Sequence, residues 1–126
     1  QMDTENLLEC YVNLKREMET YMKYLDAWDK KVAIWGASHQ GFTLAATTKL
    51  GEKERYIIDS APFKQGKFAP ASHLPIVGPD HFHEHPVDAI IITAPGYTDE
   101  IAASIRQKFG TAVEIRAMRS NHLEMV

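Results

Sequence analysis

The feature that most constrains this chain is a glycine-bounded turn, Gly36-Ala37-Ser38-His39-Gln40-Gly41, placed directly after the apolar run Lys31-Val32-Ala33-Ile34-Trp35. Residues Phe42 to Leu50 follow, apolar and alanine-rich enough for a helix that Gly51 would stop. Arg55-Tyr56-Ile57-Ile58-Asp59 then reads as a second strand ending on an acid, 18 residues after Gly41. A strand, a tight turn, a helix and a second strand in that order begin a parallel sheet, since parallel neighbours need a crossover. Glycines let the backbone turn sharply and approach an anion closely, and the helix after them presents free N–H groups and partial positive charge.

The rest of the chain repeats the alternation. Before the turn, Leu7, Tyr11, Leu14, Met18, Met22, Leu25 and Trp28 recur at three- or four-residue steps. This predicts one long helix from Asp3 to Asp29, capped by Asp3 or Thr4, with an apolar stripe packed on the body. Its length also permits a connector or a dimer seam. Cys10, within it, has no nearby base and reads as inert. Four prolines between Pro62 and Pro79 leave room for little more than a short strand at Ile76-Val77 and one helical turn at Asp80 to His83. Asp88 to Thr93 is a strand apolar on both faces. Thr98 can cap a helix with Asp99 and Glu100 in its first turn, Ile101, Ile105 and Phe109 on its buried side, and Gly110 at its end. Ala112 to Met118 is the last strand.

Composition narrows the function classes. In 126 residues, with 44% hydrophobic and 25% charged, a core can form without staples. The formal net charge of −3 gives no electrostatic footprint for nucleic acid. No apolar run approaches a membrane span, no signal peptide is visible, and a single cysteine suits a reducing cytoplasm. The chain starts at Gln1, as a segment of a longer protein would. The expected division is a helix over 1–30 leading into a domain over 31–126. That domain is a three-layer, Rossmann-like α/β fold with a parallel sheet of about four to five strands.

Such sheets bind ligands beyond their strand ends. Asp59 stands where an acid accepts ribose hydroxyls in dinucleotide-binding units. Ser38, however, replaces the second glycine of that fingerprint, and its side chain would crowd a dinucleotide or would hydrogen-bond something else. An NAD(P)-binding or redox-sensing module therefore stays open beside another nucleotide ligand and beside a structural or dimerisation domain with no ligand. His39, near a helix start, could touch a ligand or act as a base, but no carboxylate partner is legible. Tyr97, after Pro95-Gly96, could line the crevice. Lys64 and Lys67 flank Gly66, where lysine can meet phosphate as a point charge. His81-Phe82-His83-Glu84-His85 imitates a metal motif, but Pro86 breaks the helix it would need, so a solvated turn is expected and no metal.

Four segments in order resemble one family. They are Lys31-Val32-Ala33-Ile34-Trp35-Gly36-Ala37 with Gly41; Ile58-Asp59-Ser60-Ala61-Pro62-Phe63-Lys64-Gln65-Gly66-Lys67-Phe68; His73-Leu74-Pro75-Ile76-Val77; and the strand running into Tyr97 and Glu100-Ile101. Together they resemble the C-terminal domain of S-adenosylmethionine-dependent sugar C-methyltransferases. The resemblance implies a non-catalytic, Rossmann-like domain that helps hold a nucleotide-sugar, a deoxysugar on a nucleoside diphosphate, beside a methyltransferase domain in the same parent chain. It implies contacts from Gly36, Ala37, Ser38, His39, Gln40, Gly41, Asp59, Lys64, Gln65, Thr93, Ala94 and Tyr97. The family's zinc and S-adenosylmethionine would belong to other domains. One cysteine cannot build a cysteine-rich zinc site, and no second glycine loop is present, so no cofactor is expected in this chain. Ala71 stands near the family's Pro-Gly turn.

Overall fold

The computed structural model describes residues 4–47, 54–94, 96–118 and 123–126. The elements are α1 (Thr4–Ala27), β1 (Val32–Trp35), α2 (His39–Thr47), β2 (Glu54–Ile58), β3 (Ile76–Val77), α3 (His81–Glu84), β4 (Ala89–Ile92), α4 (Thr98–Phe109), β5 (Glu114–Met118) and β6 (Leu123–Met125). The sheet order is β3-β2-β1-β4-β5-β6. Its first five strands are parallel, and β6 runs antiparallel to β5. Every residue of β1 and β4 is buried, as central strands covered on both faces must be.

Alternate residues of these strands feed two cores. Val32, Ile34, Ile57, Ala89 and Ile91 face Met18, Tyr21, Met22 and Leu25 of α1 and Leu44 and Ala45 of α2. Ala33, Trp35, Ile58, Ile90 and Ile92 face Phe82 of α3 and Ala102 and Ile105 of α4. The result is a helix–sheet–helix sandwich with α1 as a full member of one layer. Leu25 is wholly buried, and burial of a side chain of that size stabilises by about 2 kcal/mol. The far end of α1 is pinned to the sheet by charge. Lys30 donates to Glu114 and to the Tyr24 hydroxyl, 2.8 Å each, and Tyr24 donates to Glu114 at 2.9 Å. Arg116 lies 4.9 Å from the Tyr21 ring centre.

Several boundaries differ from expectation for identifiable reasons. The stripe of α1 stops at Leu25. Asp29 takes a left-handed conformation, with its N–H on the Asp26 carbonyl and the Lys30 N–H on the Leu25 carbonyl, so the chain turns away and Trp28 is exposed. Helix α2 begins at His39 rather than Phe42, which draws His39, Gln40 and Gly41 into its first turn. At α4 the cap position is held by Tyr97, and Thr98 is the first helical residue and buried. Gly110 does end that helix, at φ 88°. The sixth strand is one more than expected and reverses direction. The expected stop at Gly51, the cap at Asp3, Pro95 and the side chains of Leu7, Cys10 and Tyr11 lie outside the described residues.

Candidate functional site

The turn after β1 is built by close backbone contact. The Gly36 N–H donates to the Ile58 carbonyl at 2.8 Å, which bends the chain across the end of β2. Gly36 has φ 131°, and a Cβ there would stand 2.6 Å from the Thr93 hydroxyl oxygen. A Cβ on Gly41 would stand 2.0 Å from the Gly36 carbonyl oxygen, so helix α2 can seat here because position 41 has no side chain. Thr93 is buried and its hydroxyl donates to the Trp35 carbonyl at 3.2 Å, joining the ends of β1 and β4. Ala37 is buried, whereas Ser38, His39 and Gln40 face solvent.

Asp59 brackets this turn. One carboxylate oxygen accepts the Ala37 N–H and the other the Ala61 N–H, both at 2.9 Å. Lys64 donates to the Ala37 carbonyl at 3.0 Å and lies 3.7 Å from the same carboxylate. Gln65 donates through Nε2 to the Asp59 carbonyl at 2.8 Å. The acid and the Lys-Gln pair therefore form a clasp that ties the proline-rich loop to the glycine turn. Phe63 and Phe68 on that loop are exposed.

Beyond the strand ends lies a crevice of about 370 Å³. It opens between β1 and β4, where the strand order reverses, the position at which open α/β sheets bind ligands. Trp35, Gly36 and Asp59 form its floor, and Ala94, Tyr97 and residues of α4 form its wall. Ser60, Pro79 and Lys108 line both this crevice and a wider hollow of about 720 Å³ beneath the proline-rich loop. Of the expected site residues, Gly36, Asp59, Ala94 and Tyr97 meet at the crevice, and Gln65 lines the wider hollow. Ala37, Gly41, Lys64 and Thr93 shape the turn itself, and Ser38, His39 and Gln40 are exposed and line neither hollow.

The sequence reading did not find Glu100, Ser104 and Lys108, which also line the crevice. Their four-residue spacing puts them on one face of α4. That four-residue period is legible in the sequence, beside the apolar stripe of the same helix.

The histidine segment has its own contacts. The His81 ring stacks on His85 at 4.7 Å and meets Tyr56 edge-on at 4.8 Å. Burial, followed by the neighbouring His85, holds the His81 imidazole below its usual pKa. Tyr56 donates to the His85 carbonyl at 2.6 Å, and burial pushes its phenol up to about 12. Among the described residues, no three His, Cys, Asp or Glu side chains are grouped to hold a metal ion, and no helix is long and apolar enough to cross a membrane.

Comparison with known proteins identifies the setting. The family model described as the C-methyltransferase C-terminal domain matches residues 6–114. The chain belongs to that family. A C-methyltransferase named NovU, from Streptomyces niveus, is 38% identical over 73 residues, 57% of this chain. This C-methyltransferase C-terminal domain spans 17% of the length of that relative. The UDP-D-quinovosamine 4-dehydrogenase of Vibrio fischeri superposes with a TM-score of 0.59 at 19% identity, over 77% of this chain and 93% of the other. RSP, a Rex-family repressor, gives 0.52 at 19% identity, over 73% and 48%. Both likenesses speak to the fold, which is Rossmann-like as expected.

Proposed function

We propose that this domain helps hold a nucleotide-sugar substrate, a deoxysugar on a nucleoside diphosphate, for a parent S-adenosylmethionine-dependent C-methyltransferase. The observation that carries the reading is the crevice at the reversal of strand order in a C-methyltransferase C-terminal domain. Its lining mixes an aromatic ring, a carboxylate, a hydroxyl and an ammonium group, which suits a ligand with a ring face, hydroxyls and phosphate. Gly36, Ala94 and Tyr97 face the ligand, while Asp59, Lys64, Gln65 and Thr93 hold the turn in shape.

The methyl donor and zinc are assigned to other parts of the parent chain. The acid that a donor's ribose would need already accepts two backbone N–H groups and faces Lys64. On this reading the methyl transfer falls to the neighbouring methyltransferase domain, in the cytoplasm.

Calorimetric titration with a thymidine diphosphate hexose and with NADH tests the reading. Saturable heat with the sugar nucleotide and none with NADH is expected. Saturable NADH binding with no response to the sugar nucleotide overturns it in favour of a dinucleotide module. If neither binds and the chain dimerises through α1, the domain is structural.

A further inference from the structure

The two hollows beyond the strand ends meet at Ser60, Pro79 and Lys108, so they form one trough. Ser38, His39 and Gln40, at the start of α2, line neither part of it. The trough therefore runs on the α4 side of the sheet, away from the helix start where a dinucleotide's phosphates would sit. Lys108 stands at the junction. It lies in the last turn of α4 and is exposed, and its ammonium group makes no hydrogen bond or ion pair among the described residues. By contrast, Lys64, the lysine nearest the glycine turn, is committed to the Ala37 carbonyl and Asp59.

The lining on either side of Lys108 differs in kind. The wider hollow carries Phe68, an exposed ring, and Lys67. The crevice carries Tyr97, Glu100 and Ser104. Carboxylates are present in both parts, as Asp80 and Glu84 in the first and Asp59 and Glu100 in the second. They would oppose a ligand made of phosphate alone. A ligand with hydroxyl and N–H donors on both sides of one anionic link would satisfy them.

We infer that Lys108 is a diphosphate-binding residue, with the nucleoside of the ligand on the Phe68 side and its sugar on the Tyr97 side. This rests on the nucleotide-sugar reading above and adds where each part of the ligand lies. The glycine turn then shapes the crevice floor and does not cradle the phosphates.

The test is calorimetric titration of the chain and its Lys108→Ala, Lys108→Arg and Ser38→Ala variants. The probes are a thymidine diphosphate hexose, thymidine diphosphate and thymidine. Lys108→Ala should weaken both diphosphate probes about tenfold, the scale of one charge-assisted contact. It should leave the affinity for thymidine unchanged. Lys108→Arg should recover most of the loss, and higher salt should narrow the gap between Lys108→Ala and the parent chain. Equal urea midpoints would show that the variants are folded. If the hexose binds and Lys108→Ala binds it as tightly, the inference fails while the nucleotide-sugar reading stands. It fails also if Ser38→Ala weakens the diphosphate probes and Lys108→Ala does not. If no probe binds the parent chain, both fall together.

Discussion

Ala71 shows how a single backbone angle can be read against a resemblance. It follows Pro70 in the proline-rich loop and takes φ 65°, in the left-handed region that favours glycine. The resemblance implies a Pro-Gly turn near this position, and here a methyl group occupies the strained conformation. Left-handed backbone costs a residue with a Cβ roughly 1–2 kcal/mol, and glycine loses somewhat more entropy on folding. Ala71→Gly should therefore stabilise the chain by about 0.5–1 kcal/mol, read as a higher urea midpoint with an unchanged slope. At Asp59 the sequence showed an acid at the end of the second strand but not its partners. The spacing alone leads one to expect an acid there to meet a ribose. The contact of Asp59 with Ala61, two residues on, is a local turn of the kind aspartate favours, whereas its contact with Ala37, 22 positions earlier, depends on β1 and β2 pairing, which no local pattern encodes.

Among the elements, α1 was read from its stripe, and the sheet face that it covers follows from the alternation in β1 and β4. Its link to β5 was not legible, because Lys30 and Glu114 are 84 positions apart. Burial acts to raise the Glu114 carboxyl, but hydrogen bonds from Lys30 and Tyr24 and the nearby Arg116 overcome it and hold the group below its usual value. Folding thus favours the ionised form. The contribution is complete above the ordinary value of 4.5 and is lost as pH falls through the lower folded value. Glu114→Gln should modestly lower the urea midpoint at pH 7, and the difference from the parent chain should close as the medium is acidified below that range. Lys30 moves in the opposite direction, raised by its bonds to Glu114 and Tyr24, so its share persists into alkaline solution. Strand β3 was found because two β-branched residues sit between prolines and a glycine. Strand β6 was missed because Leu123-Glu124-Met125 is too short to show a period.

For the whole molecule, β6 closes the β5 side of the sheet. Leu123 packs on one core, Val126 on the other, and the Val126 N–H donates to the Ile115 carbonyl. Removing residues 123–126 should bare the outer edge of β5, which is a template for another strand. The shortened chain should show a lower urea midpoint and concentration-dependent association in sedimentation velocity. An unchanged monomer would show that β6 is dispensable. The contact among Gly36, Gly41 and Thr93 has a further consequence, and it concerns time. The glycine turn looks local, six residues long, yet one wall of it comes from Thr93, 57 positions away from Gly36. Its bracket, Asp59, lies 22 positions from Ala37. Distant contacts form late because loop closure must precede them. As the chain folds, β1 and α2 can be present before the turn between them has its final shape, and the crevice exists only once β4 has joined β1.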